Sequence, residues 1–395
     1  MKFRTSMICL VLLVCGLQLY AQQTDPASPT IRYQCLGRPG HPPGIMNRAC
    51  KPGLGNLQTV EIAQPSSNDL PRNDDSGTFI TFDVPGARSV HPISINVEGT
   101  ITGYYFDANS LGHGFLRARN GAITVFDVPG GTTAETYPLG INVEGTVTGY
   151  YIDDAFNFRG FVRTVRGIYT TFNVPGDFGD TEPLSISPLG TTTGIWYDSH
   201  FVGHGFLRTH FGAITTFDVP GLIDDSFTYG IINPEGAVTG NYLDTKFVKH
   251  GFLRSPDGAL NTLYVPGACQ AYNLSYASGI NPAGLIVGGY LAADCVTGRG
   301  FLRTRDGAFT TFDVPGATGY GSSGGINPEG AVTGDFFDGG QVRGFLRSPN
   351  GTFTKFDAPP GSQSIAPGPI DAAGVVTGFY EDANGVRHGF VWTKH

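Results

Sequence analysis

Short apolar runs alternate with turn residues along this chain, and the alternation begins abruptly at Gly77. Around residue 235 four runs follow one another: AITTFDVP, the apolar residues before Asn233, AVTGNYL and HGFLR. Each is rich in β-branched or aromatic residues and is bounded by Gly, Pro, Asn or Asp, which is the pattern of short strands. The phrase FDVPG begins at Phe82, Phe126, Phe172, Phe217, Leu263, Phe312 and Phe356, at spacings of 44, 46, 45, 46, 49 and 44 residues. A second phrase, HGFLR, has its Phe at 115, 161, 206, 252, 301, 345 and 390. A third, INxxG followed by Thr-Gly, begins at Ile95, Ile141, Ile232, Ile280 (here followed by Val287-Gly288) and Ile326, with degenerate copies at Ile186 and Ile370.

Four strands per unit of about 45 residues is the arithmetic of a propeller blade. The predicted fold is all-β, a seven-bladed β-propeller of four-stranded blades over residues 77–395. The run from the Phe of HGFLR to the next FDVPG is 11 residues in all six cases, so that hairpin is tight and fixed. Asn233-Pro234-Glu235-Gly236 and Ser255-Pro256-Asp257-Gly258 read as type I turns leading into a glycine bulge. The other two connections vary in length and must share the opposite face of the disc. A solenoid would need polar caps at its ends. Here the first FDVPG strand can instead complete the last blade as its outermost strand, closing the ring with no free edge. Pro at the end of that strand suits an outer position.

Composition agrees with a turn-rich, packed β protein: 58 Gly and 27 Pro stand beside 40% hydrophobic residues. The formal net charge is −8 and no basic stripe exists, so nucleic acid is not an expected partner. Residues 1–21 read as an export signal, with Lys2 and Arg4 ahead of an apolar run and Ala21 at the cleavage point; the alternatives are an uncleaved anchor and, more weakly because Val14 precedes it, a lipoprotein at Cys15. No membrane span is expected once the signal is removed. Residues 22–76 read as a Pro/Gly-rich linker. Four cysteines remain after cleavage, which in an exported chain suggests two disulfides. Proximity favours Cys35–Cys50 and Cys269–Cys295, although four cysteines allow three pairings. Cys269 and Cys295 fall in the two variable loops of one unit, on one face. The loop they close is worth roughly 3–4 kcal/mol on the chain-entropy account.

The phrases resemble the HAF family of extracellular repeat proteins. His113-Gly114-Phe115, His204-Gly205-Phe206, His250-Gly251-Phe252 and His388-Gly389-Phe390 carry the resemblance, with the Gly-Ile-Asn-x-x-Gly runs near Asn142, Asn281 and Asn327. Gly stands where the family usually has Ala, and Arg159, Arg299 and Arg343 replace the His. The resemblance implies export and a repeat fold, and implies no particular activity.

No catalytic motif stands in a supporting context. Histidines that recur with the repeat are structural by their recurrence, since an active site needs a residue once. The position held by His113, Arg159, His204, His250, Arg299, Arg343 and His388 reads as a hydrogen-bond donor to a buried acceptor. His200 and His204 are four apart with His210 near, so a zinc pair is conceivable, but no third ligand of helix or thiolate type sits beside them. The Asp four residues after the Thr-Gly glycine (Asp107, Asp153, Asp198, Asp244, Asp338, Asp382) reads as a turn starter. Neither metal nor cofactor is expected. The variable loops entering the inner strands carry His91, Tyr137, Glu182, Tyr229, Tyr276 and Tyr320, a set suited to a sugar or peptide. The expectation is a monomeric, non-enzymatic extracellular binding propeller with a carbohydrate or cell-envelope protein as ligand. The alternatives are a polysaccharide hydrolase or lyase over the central channel and a purely structural surface protein.

Overall fold

The computed structural model describes residues 77–130, 135–219, 228–271 and 274–395. The signal, the linker and the Cys35–Cys50 pair lie outside the described residues. Seven four-stranded antiparallel sheets follow one another around a ring. The first blade is β2 (Ser89–Ile95), β3 (Ile101–Phe106), β4 (Gly112–Arg117) and β5 (Ile123–Phe126). The second is β6 (Glu135–Ile141), β7 (Val147–Ile152), β8 (Phe158–Arg163) and β9 (Tyr169–Phe172). The third is β10 (Thr181–Ile186), β11 (Thr192–Tyr197), β12 (Gly203–Arg208) and β13 (Ile214–Phe217). The fourth is β14 (Thr228–Ile232), β15 (Val238–Leu243), β16 (Lys249–Arg254) and β17 (Leu260–Thr262). The fifth is β18 (Ser275–Ile280), β19 (Ile286–Leu291), β20 (Gly298–Arg303) and β21 (Phe309–Phe312). The sixth is β22 (Gly319–Ile326), β23 (Val332–Asp338), β24 (Gln341–Arg347) and β25 (Phe353–Phe356).

The seventh blade is β26 (Ser364–Ile370), β27 (Val376–Glu381) and β28 (Arg387–Lys394), and its outer strand is β1 (Gly77–Phe82). Gly77 pairs with Lys394 and Phe82 with Gly389, so the first repeat strand closes the ring as the sequence predicts. The chain is a seven-bladed β-propeller. The first strand of each blade is innermost and packs against its counterpart in the next blade.

Each phrase has a packing reason. The Phe of HGFLR is fully buried in all seven blades. In five blades the Thr before the Thr-Gly glycine donates to that Phe's carbonyl, as in Thr102 to Phe115 (3.1 Å) and Thr239 to Phe252 (2.7 Å); Val287 takes its place in the fifth blade, and Thr333 of the sixth donates to Gly368 O (2.6 Å). The Gly of HGF leaves room for the FDVPG ring: a Cβ on Gly205 would stand 2.3 Å from Phe217.

The Arg of HGFLR then reaches the FDVPG ring of the preceding blade. Arg117 lies 4.8 Å over Phe82, Arg208 4.5 Å over Phe172 and Arg347 5.2 Å over Phe312. Such cation–π contacts contribute about 0.5–1 kcal/mol each where partly exposed. Where Leu263 replaces that Phe, Arg303 turns to Phe309 of its own blade. In the seventh blade Trp392 replaces the Arg and stacks on Phe356 at 4.3 Å.

On the face of the tight hairpins, asparagines link the blades around the axis. Asn96 donates to the carbonyl of Asn142 (3.1 Å), Asn233 to Asn281 (3.4 Å), Asn281 to Asn327 (3.2 Å) and Asn327 to Asp371 (3.2 Å). Each Asn Oδ1 also caps its own turn, as at Thr100 N (3.0 Å).

Candidate binding site on the loop face

The variable loops run from each outer strand to the next inner strand, and from the second strand to the third. Both open on one face. Cys269 and Cys295 lie in these two loops of the fifth blade and are disulfide-bonded, with a Cα–Cα distance of 4.9 Å.

The six sequence-predicted binding residues stand in the inner strands, one or two residues past the loops that were expected to carry them. A β-bulge follows at once in every blade, for example between Pro92 and Ser94 or Pro138 and Gly140. A bulge re-aims neighbouring side chains. The Thr-Gly glycine makes it possible, because a Cβ on Gly103 or Gly149 would meet the His91 or Tyr137 carbonyl oxygen at 2.0 or 2.1 Å.

His91 and Tyr137 are buried and join neighbouring blades. His91 stacks on Tyr104 (4.7 Å) and reaches Phe379 of the seventh blade (5.6 Å). Burial, with the Arg387 charge, lowers its pKa to about 3, so it is neutral at any ordinary pH. Tyr137 stacks on Tyr150 (5.0 Å), meets Tyr104 edge-on (5.1 Å) and donates its hydroxyl to Glu135. Burial and that carboxylate raise its pKa. An aromatic seam therefore runs through the seventh, first and second blades. Glu182 is buried opposite Ile195. Tyr229 is the second residue of β14, and its side chain lies outside the described set.

The fifth and sixth blades are polar instead. Tyr276 lies over Gly289, where a Cβ would meet its hydroxyl at 2.4 Å, and donates to Gly321 O at 3.3 Å. Lys249 of the fourth blade stands 5.7 Å over the Tyr276 ring, its pKa lowered by burial. Tyr320 is shifted by an extra bulge, pairs with Phe336 and packs on Phe312 and Phe345. It belongs to the core between the fifth and sixth blades. Ser322 takes the place it was expected to hold, opposite Asp335.

Asp335 was not singled out by the sequence reading. Its carboxylate accepts from Ser322 Oγ at 2.5 Å and is enclosed by protein while still partly reached by solvent. Desolvation raises its pKa to about 6, against the Ser322 bonds that lower it. The signal was available: the residue after the Thr-Gly glycine is Tyr104, Tyr150, Ile195, Asn241, Gly289, Asp335 or Phe379, and only one is acidic.

The repeat donors face carboxylates that are more exposed than the buried acceptor expected. His113 Nδ1 lies 3.0 Å from Asp127, and His388 Nδ1 2.8 Å from Asp83. Arg159 donates to Asp153 (2.9 Å), and Arg343 to both Asp338 (3.0 Å) and Asp357 (2.6 Å). His204 lies 2.6 Å from Asp218, His250 3.1 Å from Asp244 and Arg299 3.5 Å from Asp313. Partly exposed pairs of this kind contribute about 0–1 kcal/mol each. Among the described residues no group of three or more His, Cys, Asp or Glu is placed to hold a metal ion.

A surface pocket of about 430 Å³ lies on the second blade, lined by Tyr151, Arg159, Thr171, Phe172 and Asn173. It is formed by repeat positions and is remote from the polar inner-strand residues.

The loops between second and third strands all begin on an Asp turn, except in the fifth blade. The residue whose N–H bonds back to the carbonyl of the first turn residue takes left-handed backbone. It is Ser110, Phe156 (φ 61°), Phe201 (φ 60°), Phe247 (φ 60°), Cys295 and Gly385 in the first five and the seventh blades. The three phenylalanines are exposed at 70%, 49% and 70%. A bulky residue in this region is costly, of order 1 kcal/mol or more.

No family model matches the sequence, and no curated protein matches it. Solved structures do. The chain is similar to a catalytically inactive virginiamycin B lyase from Staphylococcus aureus with quinupristin, at 15% identity and a TM-score of 0.55, over 80% of this chain and 99% of that one. It is similar to a streptogramin B lyase at 13% identity and a TM-score of 0.54, over 81% and 98%. At these identities the likeness shows the fold alone.

Proposed function

We propose that this chain is an exported, monomeric binding propeller of HAF-type repeats that takes a carbohydrate or cell-envelope protein on its loop face. One observation carries the reading. The core positions repeat almost unchanged, whereas the inner-strand pair beside each Thr-Gly glycine differs in every described blade, from His91–Tyr104 to Ser322–Asp335. Diversity confined to one end of a uniform scaffold is where binding residues are usually found. Export is supported by the apolar N-terminal run and by the Cys269–Cys295 disulfide. Tyr276, with Lys249 and Asp335 nearby, is the polar centre of the proposed site. His91, Tyr137 and Glu182 stand at the corresponding inner-strand positions of the other blades, and Ser322 holds the place expected of Tyr320.

The test is a glycan and polysaccharide array with the exported chain, repeated with Tyr276→Phe and Asp335→Asn. A defined hit weakened by either substitution supports the reading. Binding indifferent to both removes the site from the inner strands.

A second reading, a polysaccharide hydrolase or lyase, is favoured by Asp335 itself. A carboxyl with a pKa of about 6 is poised for proton transfer near neutral pH. Turnover of any arrayed polysaccharide, lost in Asp335→Asn, would establish it. The two lyases share only the fold with this chain, so their activity is not carried over.

A further inference from the structure

The same turn is built many times in this molecule, with a left-handed residue at its bulge. On the opposite face glycine occupies that place in all seven turns between first and second strands, from Gly99 to Gly374. Glycine occupies it also in all six turns between third and fourth strands, from Gly121 to Gly351. On the loop face the seventh blade keeps Gly385, yet three consecutive blades place Phe156, Phe201 and Phe247 there. The turns are otherwise alike: Phe156 N donates to Asp153 O (2.8 Å), Phe201 N to Asp198 O (2.9 Å) and Phe247 N to Asp244 O (2.8 Å). A backbone cost accepted three times, for side chains that are largely exposed, points to use in binding rather than in packing. Phe178, itself 61% exposed, meets Phe201 edge-on at 5.7 Å and widens the middle platform.

We infer that Phe156, Phe201 and Phe247 form a row of stacking platforms for a neutral polysaccharide chain lying across the second, third and fourth blades. This rests on the loop face being the binding face. A neutral glycan chain fits the row in three respects. The platforms recur once per blade instead of merging into one apolar patch, and a regular row suits a ligand that repeats along its length. The apolar C–H face of a sugar ring matches an aromatic face with its negative quadrupole. The formal net charge of −8 disfavours anionic lipid, nucleic acid and acidic glycans.

The test uses the full exported chain and the triple variant Phe156→Asn, Phe201→Asn, Phe247→Asn, since Asn accepts left-handed backbone. Phe211→Asn, an exposed ring on the opposite face, is the control. Insoluble cellulose and chitin, soluble xylan and mixed-linkage glucan, and phosphatidylglycerol vesicles are the probes. The expected result is binding to at least one neutral glycan, weakened at least about tenfold in the triple variant, with Phe211→Asn unchanged. The triple variant should melt at the same temperature or higher, because the strain is relieved. Unaltered binding, no binding to any neutral glycan, or a triple variant that melts lower overturns the inference. If the triple variant binds normally while Asp335→Asn does not, this row fails and the inner-strand site stands.

Discussion

Asp335 is the residue at which burial and chemistry conflict most. Its folded pKa of about 6 lies above the ordinary 3.8, so the folded chain holds a proton there that the unfolded chain releases. The associated stability is present in full below about pH 4 and is lost as pH rises through about 6. The shift corresponds to roughly 2–3 kcal/mol, since each unit is worth about 1.4 kcal/mol. Urea unfolding at pH 4 and pH 7.5 should show the wild type losing about that much relative to Asp335→Asn. Equal pH dependence in the two chains would refute the account. Asp371 poses a milder version. It occupies the place of the ring-linking Asn, its Oδ2 has no hydrogen-bond partner, and burial raises its pKa. Asp371→Asn restores a donor like Asn327 and should stabilise the ring, more at pH 7.5 than at pH 4, as read by melting temperature.

Within a blade, the phrases were legible in the sequence because each has a fixed partner inside one or two repeats. Phe115 recurs as Phe161 and Phe206 since the strand pair around it recurs. The binding residues were less legible. His91 and Tyr137 look like loop aromatics until the neighbouring blade is known, and then Phe379 and Tyr104 are found covering them. Tyr320 was misplaced by a second bulge in β22, which periodicity along the chain does not reveal. The glycine–ring contact makes a test at this scale. Gly205→Ala drives a Cβ to 2.3 Å from Phe217, whereas Gly251→Ala meets its nearest neighbours at 3.2 Å, since Leu263 replaces the ring. Overpacking predicts a loss of about 1–3 kcal/mol for the first and less for the second. Equal urea midpoints for the two variants would show that the ring does not dictate the glycine.

At the scale of the molecule, each sheet packs on its two neighbours, and the outer edge of the seventh is completed by β1. That strand supplies Phe79, which stacks on Phe390 at 4.8 Å. It also supplies Phe82, which fills the space above Gly389 and receives Arg117 of the first blade. Removing residues 77–86 leaves β28 as an unpaired edge beside an uncovered Phe390, the arrangement that recruits strands from other chains. The shortened chain should melt well below the full one and associate in a concentration-dependent way, read by sedimentation velocity. A synthetic peptide of residues 77–86 should bind it, raise its melting temperature and return it to the sedimentation coefficient of the full chain. The same peptide with Phe79→Ala and Phe82→Ala should fail to do so, since its remaining backbone bonds would lack the rings that seat the strand. A shortened chain that stays monomeric and equally stable would mean that contacts between neighbouring blades suffice without the seventh blade's outer strand.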